Sequence, residues 1–299
     1  MLKIPEGVEV ELRAGEIRNF IRQIDCKTII GISWDEGSKY SSRYKGKRKD
    51  LKGLEYAKLP ITVDRIFSIG KLIIMKCINA EKEIIYLSWH LGMTGSFNFG
   101  KESREKHSNL WIKFGNPLKN YEEVSRFYFT DARKFGSFSI YKNLTELLKK
   151  NGPCLMSAAL IKYGRDENVI PEYAATRQYW NIALNKAKNT KPIAEFMMEQ
   201  KYVSGIGNYL RAEILYACKI DPERCIRDLS VDDKNLLYDK SLEIIFASWS
   251  SKGPSKKYFK EGSFQLQVYS RKFDNFNNQV LTYVDTKNRV VHYVPAIQV

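Results

Sequence analysis

Apolar residues recur along the chain at two different periods, and the change of period divides it. From Pro5 to about Gln23, Val8, Leu12, Ile17, Phe20 and Ile21 recur at helical spacing, which predicts an amphipathic helix. Pro5 suits the first turn, and Glu6, Glu9 and Glu11 suit the positive helix end. Seven short β-rich runs follow between about residues 28 and 141: TIIGISW, ITVDRIFSI, KLIIMKCI, EIIYLSWHL, LWIKFG, SRFYFTD and FGSFSIY. A series of this kind, broken by turn residues, predicts a sandwich or barrel.

Near Asn151-Gly152-Pro153 the alternation stops and helical patterning takes over. Helices are predicted from about Glu172 to Lys188, Pro192 to Gln200, Asn208 to Cys218 and Val231 to Trp249, the last opened by Ser230 with Asp233 three residues on, a capping-box pattern. The end returns to alternation in FQLQVYSRKF, QVLTYV and RVVHYV, which predicts a terminal antiparallel ribbon. The fold class is therefore α+β. A β-sandwich domain with an N-terminal helix covers 1–150, a linker with the first helices 151–190, a helical domain 191–260 and a β-ribbon 261–299.

Charge narrows the class of partner. Forty-nine Lys and Arg against 34 Asp and Glu give a formal +15 and a pI near 9.4, so polyanions are attracted and nucleic acid is the default partner. Six basic residues in ten between Arg43 and Lys52 read first as a solvated loop that adds salt-dependent affinity for phosphates. Cys26, Cys77, Cys154, Cys218 and Cys225 are scattered without the short spacing of a zinc site. The expected setting is reduced and intracellular, nuclear or cytoplasmic, with no membrane-spanning run.

The strongest local signal is KYVSGIGNYLRAEILYACKIDP, residues 201–222. Gly205 and Gly207 permit tight backbone just ahead of a helix, so outward amides and the Asn208 side chain can receive a phosphate, although a Gly-X-Gly taken alone favours a plain inter-helix turn. Taken with Gln200, this run resembles the helix–two-turn–helix DNA-binding element of the Fpg/Nei (formamidopyrimidine-DNA glycosylase/endonuclease VIII) family. Other landmarks follow in register over nearly the whole chain. PEGVE at 5–9 resembles the family's amino-terminal PEGPE, with Val8 for the second proline. Gly70-Lys71 resembles its glycine-lysine turn, HLGMTG at 90–95 its void-filling loop, and TDARKFG at 130–136 its arginine and aromatic wedge. The tail from Arg289 follows its finger ending.

The resemblance implies roles. The amine of Pro5 would be the nucleophile that forms a Schiff base with the sugar C1′, Glu6 the proton shuttle and Glu9 the ring-opening acid, with Lys71 counted among the catalytic group. Lys71, His90, Asn208 and Arg289 would grip phosphates around a flipped nucleotide. Met93, Arg133 and Phe135 would fill the void it leaves, although residue type alone favours core positions for Met93 and Phe135. The expected partner is damaged DNA, double-stranded with single strands left open, bound by a monomer without cofactor.

Two departures stand out. Met1-Leu2-Lys3-Ile4 precede Pro5, and an internal proline nitrogen is a tertiary amide with no proton, unable to form a Schiff base. The expected resolution is a terminus generated at Pro5. In the finger, Val294 and Ile297 stand where the common form has cysteines, and the arm near Phe276 to Gln279 has none. The ribbon is thus expected to be a zincless finger without bound metal. The expected activity is excision of oxidised bases, pyrimidines and hydantoins favoured, followed by β,δ-elimination. The rivals are a lesion- or abasic-site-binding protein without catalysis, a monofunctional glycosylase in which Glu6 or Glu9 activates water, and a generic nucleic-acid-binding module.

Overall fold

The computed structural model describes residues 5–35, 51–100, 107–115, 124–165, 167–253 and 264–299. Arg43 to Asp50 of the basic run lie outside the described residues. The chain divides into two compact units, Pro5 with Val10–Lys149 and Glu6–Glu9 with Lys150–Val299.

The N-terminal periodicity produces α1 (Gly7–Gln23), followed by β1 (Thr28–Trp34), β2 (Ile61–Ile69), β3 (Leu72–Ile78), β4 (Ile84–His90), β5 (Ser96–Phe99), β6 (Ser108–Phe114), β7 (Ser125–Thr130) and β8 (Ser137–Tyr141). Val10, Ala14, Ile17, Phe20 and Ile21 bury one face of α1 in the core of the first unit, while Leu12, expected in that stripe, is only half-buried. Glu11, expected simply to face the helix end, is buried and accepts hydrogen bonds from Arg18 and Ser68.

All eight strands join one antiparallel sheet in the order β5-β7-β6-β1-β2-β3-β4-β8. Trp89 of β4 and Phe97 of β5, near opposite ends of that order, have ring centroids 6.1 Å apart. The sheet therefore folds over on itself, and its two ends enclose a shared aromatic core, the sandwich that the alternation predicts. Sequence pattern misses β5, whose four residues lie between Gly95 and Gly100 and are too few to establish a period.

The second unit carries α3 (Leu155–Lys162), α4 (Arg177–Lys186), α5 (Ile193–Met197), α6 (Asn208–Cys218), α7 (Val231–Ser250), β9 (Leu281–Val284) and β10 (Val290–Tyr293), and a short α2 (Leu144–Leu148) closes the first. α3 escapes the periodicity because Leu155 through Leu160 are all buried, leaving no polar face to mark a turn. The helix expected from Glu172 begins at Arg177 instead, where the Thr176 hydroxyl caps the amide of Tyr179. α6 occupies the predicted span, and both halves of the Ser230–Asp233 capping box form at 3.0 Å.

β9 and β10 pair antiparallel, but FQLQVYSRKF is not a strand. The amides of Gln267, Val268 and Tyr269 donate to the buried Glu213 carboxylate at 2.8 to 3.0 Å, so a single anion takes donors that a ladder would need. Burial pushes the Glu213 carboxyl up, against the three amides that lower it. Val294 and Ile297 pack with Val268, Val280 and Tyr216 in a small apolar cluster, a donor set unsuited to zinc. Asp274 ties the adjoining turn by accepting from Tyr216, Phe276 and Asn278. Among the described residues no helix is long and apolar enough to cross a membrane.

Candidate active site

In the first unit, strand register gathers three of the motifs. Leu72, next to Lys71, pairs with His90, and His90 pairs on its other side with Ser137, next to Gly136. The Gly70-Lys71 turn, the start of HLGMTG and the end of TDARKFG thus share one end of neighbouring strands β3, β4 and β8. Gly70 takes φ +58°, a turn conformation that favours glycine. His90 Nδ1 accepts from the amide of Gly92 at 3.2 Å, which fixes its ring.

The HLGMTG and TDARKFG loops meet side by side. Arg133 donates to Met93 Sδ at 3.4 Å, and the Arg133 amide donates to Thr94 Oγ1 at 3.2 Å. Phe135 is 63% exposed and Met93 half-buried. Phe135 is therefore not the core residue that its type suggests.

In the second unit, PEGVE and SGIGN interlock. Glu6 is buried, and its carboxylate accepts from the amides of Tyr209 at 3.0 Å and Leu210 at 3.4 Å in the first turn of α6. The positive helix end thus receives the chain's own anion through these amides rather than the phosphate expected there. Glu9 Oε2 in turn accepts the Glu6 amide at 3.0 Å, and the Gly7 amide donates to Gly205 O at 3.2 Å. A β-carbon on Gly7 would stand 2.5 Å from Gly205 O, and one on Gly207 2.1 Å from Glu6 Cδ. The glycines of the two motifs serve a mutual approach. Gln200 shapes the loop by accepting from the Gly205 amide and donating to Ile206 O.

Asn208 and Arg289 are linked through a residue that the motifs do not flag. Arg211, fully buried, donates to the side-chain oxygen of Asn208, to Asp285 Oδ2 at 2.9 Å and to Val290 O at 3.4 Å. Asn208 Nδ2 donates to Val290 O at 2.9 Å. Asp285 Oδ1 accepts the amides of Lys287 and Arg289 at 2.9 Å, so the hairpin turn carrying Arg289 is wound around the carboxylate that Arg211 anchors. Burial pulls the Arg211 guanidinium down, opposed by its bond to Asp285. Burial would raise Asp285, but Arg211 and the turn amides hold it below the usual range.

Sequence reasoning also misses Tyr209. Buried beside the amide that Glu6 accepts, its hydroxyl lies 3.1 Å from Ser248 Oγ. Burial, with Glu9 and Glu6 near, pushes the phenol well above its ordinary value, so it stays a neutral hydrogen-bonding group beside the two acids. Its place immediately after Asn208 is the only signal the sequence offers. Among the described residues no group of three or more His, Cys, Asp or Glu comes together to hold a metal.

Comparison with known proteins bears on this arrangement. Residues 4–138 match the formamidopyrimidine-DNA glycosylase N-terminal domain, and residues 171–258 match the formamidopyrimidine-DNA glycosylase H2TH domain. The chain is 31% identical over 230 residues to the formamidopyrimidine-DNA glycosylase of Zymomonas mobilis, spanning 74% of this chain and 72% of that one. It is 25% identical to that of Lactococcus lactis subsp. cremoris across 99% of each. The solved structure of Lactococcus lactis formamidopyrimidine-DNA glycosylase with abasic-site DNA superposes with a TM-score of 0.72 at 23% identity, covering 98% of this chain and 99% of that one. A structure of MutM with DNA containing carbocyclic 8-oxo-G gives 0.71 at 24%, covering 98% and 99%. With both family domains matched in order, and with their motifs interlocked as described, the chain belongs to the formamidopyrimidine-DNA glycosylase (Fpg/Nei) family.

Proposed function

We propose that this member of the family is a bifunctional DNA glycosylase and AP lyase that excises oxidised bases and then nicks the strand. The observation that carries the reading is the Glu6 carboxylate held by the amides of Tyr209 and Leu210, because it fixes an acid–base group one residue from Pro5. The Pro5 secondary amine attacks C1′, the damaged base departs with a proton, and the sugar ring opens to a Schiff base. Glu6 shuttles protons and Glu9, bonded to the Glu6 amide, assists ring opening. Successive β- and δ-elimination then releases the 3′ and 5′ phosphates.

Damaged DNA is the partner, gripped through phosphates by Lys71, His90, Asn208 and Arg289 and entered by Met93, Arg133 and Phe135. The net charge of +15 supports a polyanionic partner. PEGVE and the apolar finger tilt the lesion class toward oxidised pyrimidines and hydantoins. That tilt is tested by comparing single-turnover excision of thymine glycol, a hydantoin and 8-oxoguanine in one duplex.

The nucleophile requires a terminus at Pro5, since the four preceding residues make its nitrogen an amide. The bonds of Glu6 to Tyr209, Leu210 and Glu9 and of Gly7 to Gly205 lie among residues from Pro5 onward, so a chain beginning at Pro5 contains every partner of these bonds. Borohydride trapping on abasic-site duplex, with intact mass recorded, compares the full chain with one starting at Pro5. Trapping only when Pro5 is terminal is the expected result. Binding without trapping by either version overturns the lyase and leaves a lesion-binding protein; base release without trapping leaves a monofunctional glycosylase.

A further inference from the structure

We infer that Asp131 is the positioning residue of the void-filling apparatus, its buried carboxylate holding the HLGMTG and TDARKFG loops together as one rigid wedge. The inference rests on the wedge role proposed above for Met93, Arg133 and Phe135, and it goes further by assigning the group that orients them.

Asp131 is only 1% exposed, and three donors from two loops converge on it. Its Oδ1 accepts from the Thr94 hydroxyl, in the first loop, and from the Arg133 amide at 3.2 Å, in the second. Its Oδ2 accepts the Gly136 amide at 2.6 Å. Thr94 Oγ1 also accepts the Arg133 amide at 3.2 Å, which closes a small ring of Asp131, Thr94 and Arg133. Only an acceptor-only side chain with two oxygens satisfies such a set, because every converging partner is a donor.

Steric contact completes the joint. A β-carbon on Gly92 would stand 2.5 Å from Gly136 N, so the two loop backbones touch with no room for a side chain. The Asp131 side chain at the centre of the joint is buried, whereas Phe135 and Arg133 are exposed. This is the construction expected of a wedge. Unstacking a duplex is uphill, and a filler can hold the gap open only if its own base does not yield. The Asp131 side chain acts through the loops and touches no substrate in this role.

The test uses the full chain with a duplex that carries a tetrahydrofuran abasic analogue opposite 2-aminopurine. Emission of that base reports unstacking at saturating protein, anisotropy reports binding, and a thermal melt fixes a temperature at which each variant is fully folded. Wild-type protein is expected to raise the emission. Asp131→Asn keeps the volume but turns an amide donor toward one of the three donors, and it is expected to lower the inserted fraction about tenfold while binding persists. Thr94→Val removes one bond and keeps Asp131; it should lower the emission, and Thr94→Ser should restore it. The threonine pair decides the matter if Asp131→Asn does not fold.

Wild-type emission from folded Asp131→Asn, or from Thr94→Val, overturns the assignment and leaves these bonds a purely structural role. A different result marks failure of the underlying reading. If wild-type protein binds without raising the emission, and Phe135→Ala and Met93→Ala bind and excise like wild type, the loops are not a wedge and the inference falls with them.

Discussion

Gly207 and Glu6 are sterically complementary: a β-carbon on the glycine would stand 2.1 Å from the glutamate Cδ. Gly207→Ala must therefore displace the carboxylate or shift α6. The expected loss is about 1–3 kcal/mol of stability, read as a lower unfolding midpoint, together with loss of excision. Gly164→Ala is the control. It has φ +69° but nothing within 4 Å, so it should cost only about 1 kcal/mol of backbone strain and leave excision intact.

Arg211 and Asp285 form a buried ion pair at 2.9 Å, with side chains 0% and 2% exposed. Removing one partner leaves a buried charge unmatched. Arg211→Met or Asp285→Asn alone should cost about 3–5 kcal/mol, whereas the double variant should cost clearly less than the sum. Urea denaturation of the four proteins measures the coupling. Additive losses would show that the pair does not anchor the hairpin to α6.

Glu199 sits between Lys191 at 2.7 Å, Lys201 at 3.2 Å and Lys287 at 3.4 Å. Burial alone would raise its carboxyl, but the lysines outweigh burial and hold it down at about 2, against an ordinary 4.5. A depressed folded-state value means that the unfolded chain takes up the proton first. The stabilisation is therefore complete above pH 4.5 and lost as pH falls toward 2. Two of the three lysines are more than half exposed, which discounts the effect to about 1–3 kcal/mol. Glu199→Gln should be destabilised by that amount at neutral pH, and urea midpoints should converge with those of wild type across the acid window.

Phe135 at 63% exposure is surplus to the core. Phe135→Ala should leave the unfolding midpoint within about 0.5 kcal/mol of wild type and weaken binding to abasic-site duplex about tenfold through lost stacking. Equal affinity, measured by anisotropy, would remove Phe135 from the DNA-entering set.

Arg289 stands on the turn wound around Asp285. If it contacts a phosphate, Arg289→Ala lowers affinity uniformly across sequences and reduces the slope of log affinity against log salt by about 1. An unchanged slope would assign it to the hairpin alone.

What the sequence determined by itself is local. The period of α1, the strand alternation, the Ser230–Asp233 cap and the span of α6 are written in side chains within a few residues of one another, and the family motifs stand in order along the chain. Apolar Val294 and Ile297 are visible in the sequence, and the fold packs them with Val268, Val280 and Tyr216. β5 and α3 were hidden because one is too short to show a period and the other is buried all round.

Only the tertiary structure decided what each glycine and carboxylate is for. The amides of Tyr209 and Leu210 looked like a phosphate cradle but hold Glu6, about two hundred residues earlier in the chain, at |i−j| = 203 and 204. Arg211, Asp285 and Asp131 could not be paired from local pattern, because each has one partner in a distant segment: Arg211 and Asp285 meet each other, and Asp131 meets Thr94. A buried charge must be matched wherever the fold puts it, and its match is set by proximity in space, to which hydrophobic period and motif spacing are blind.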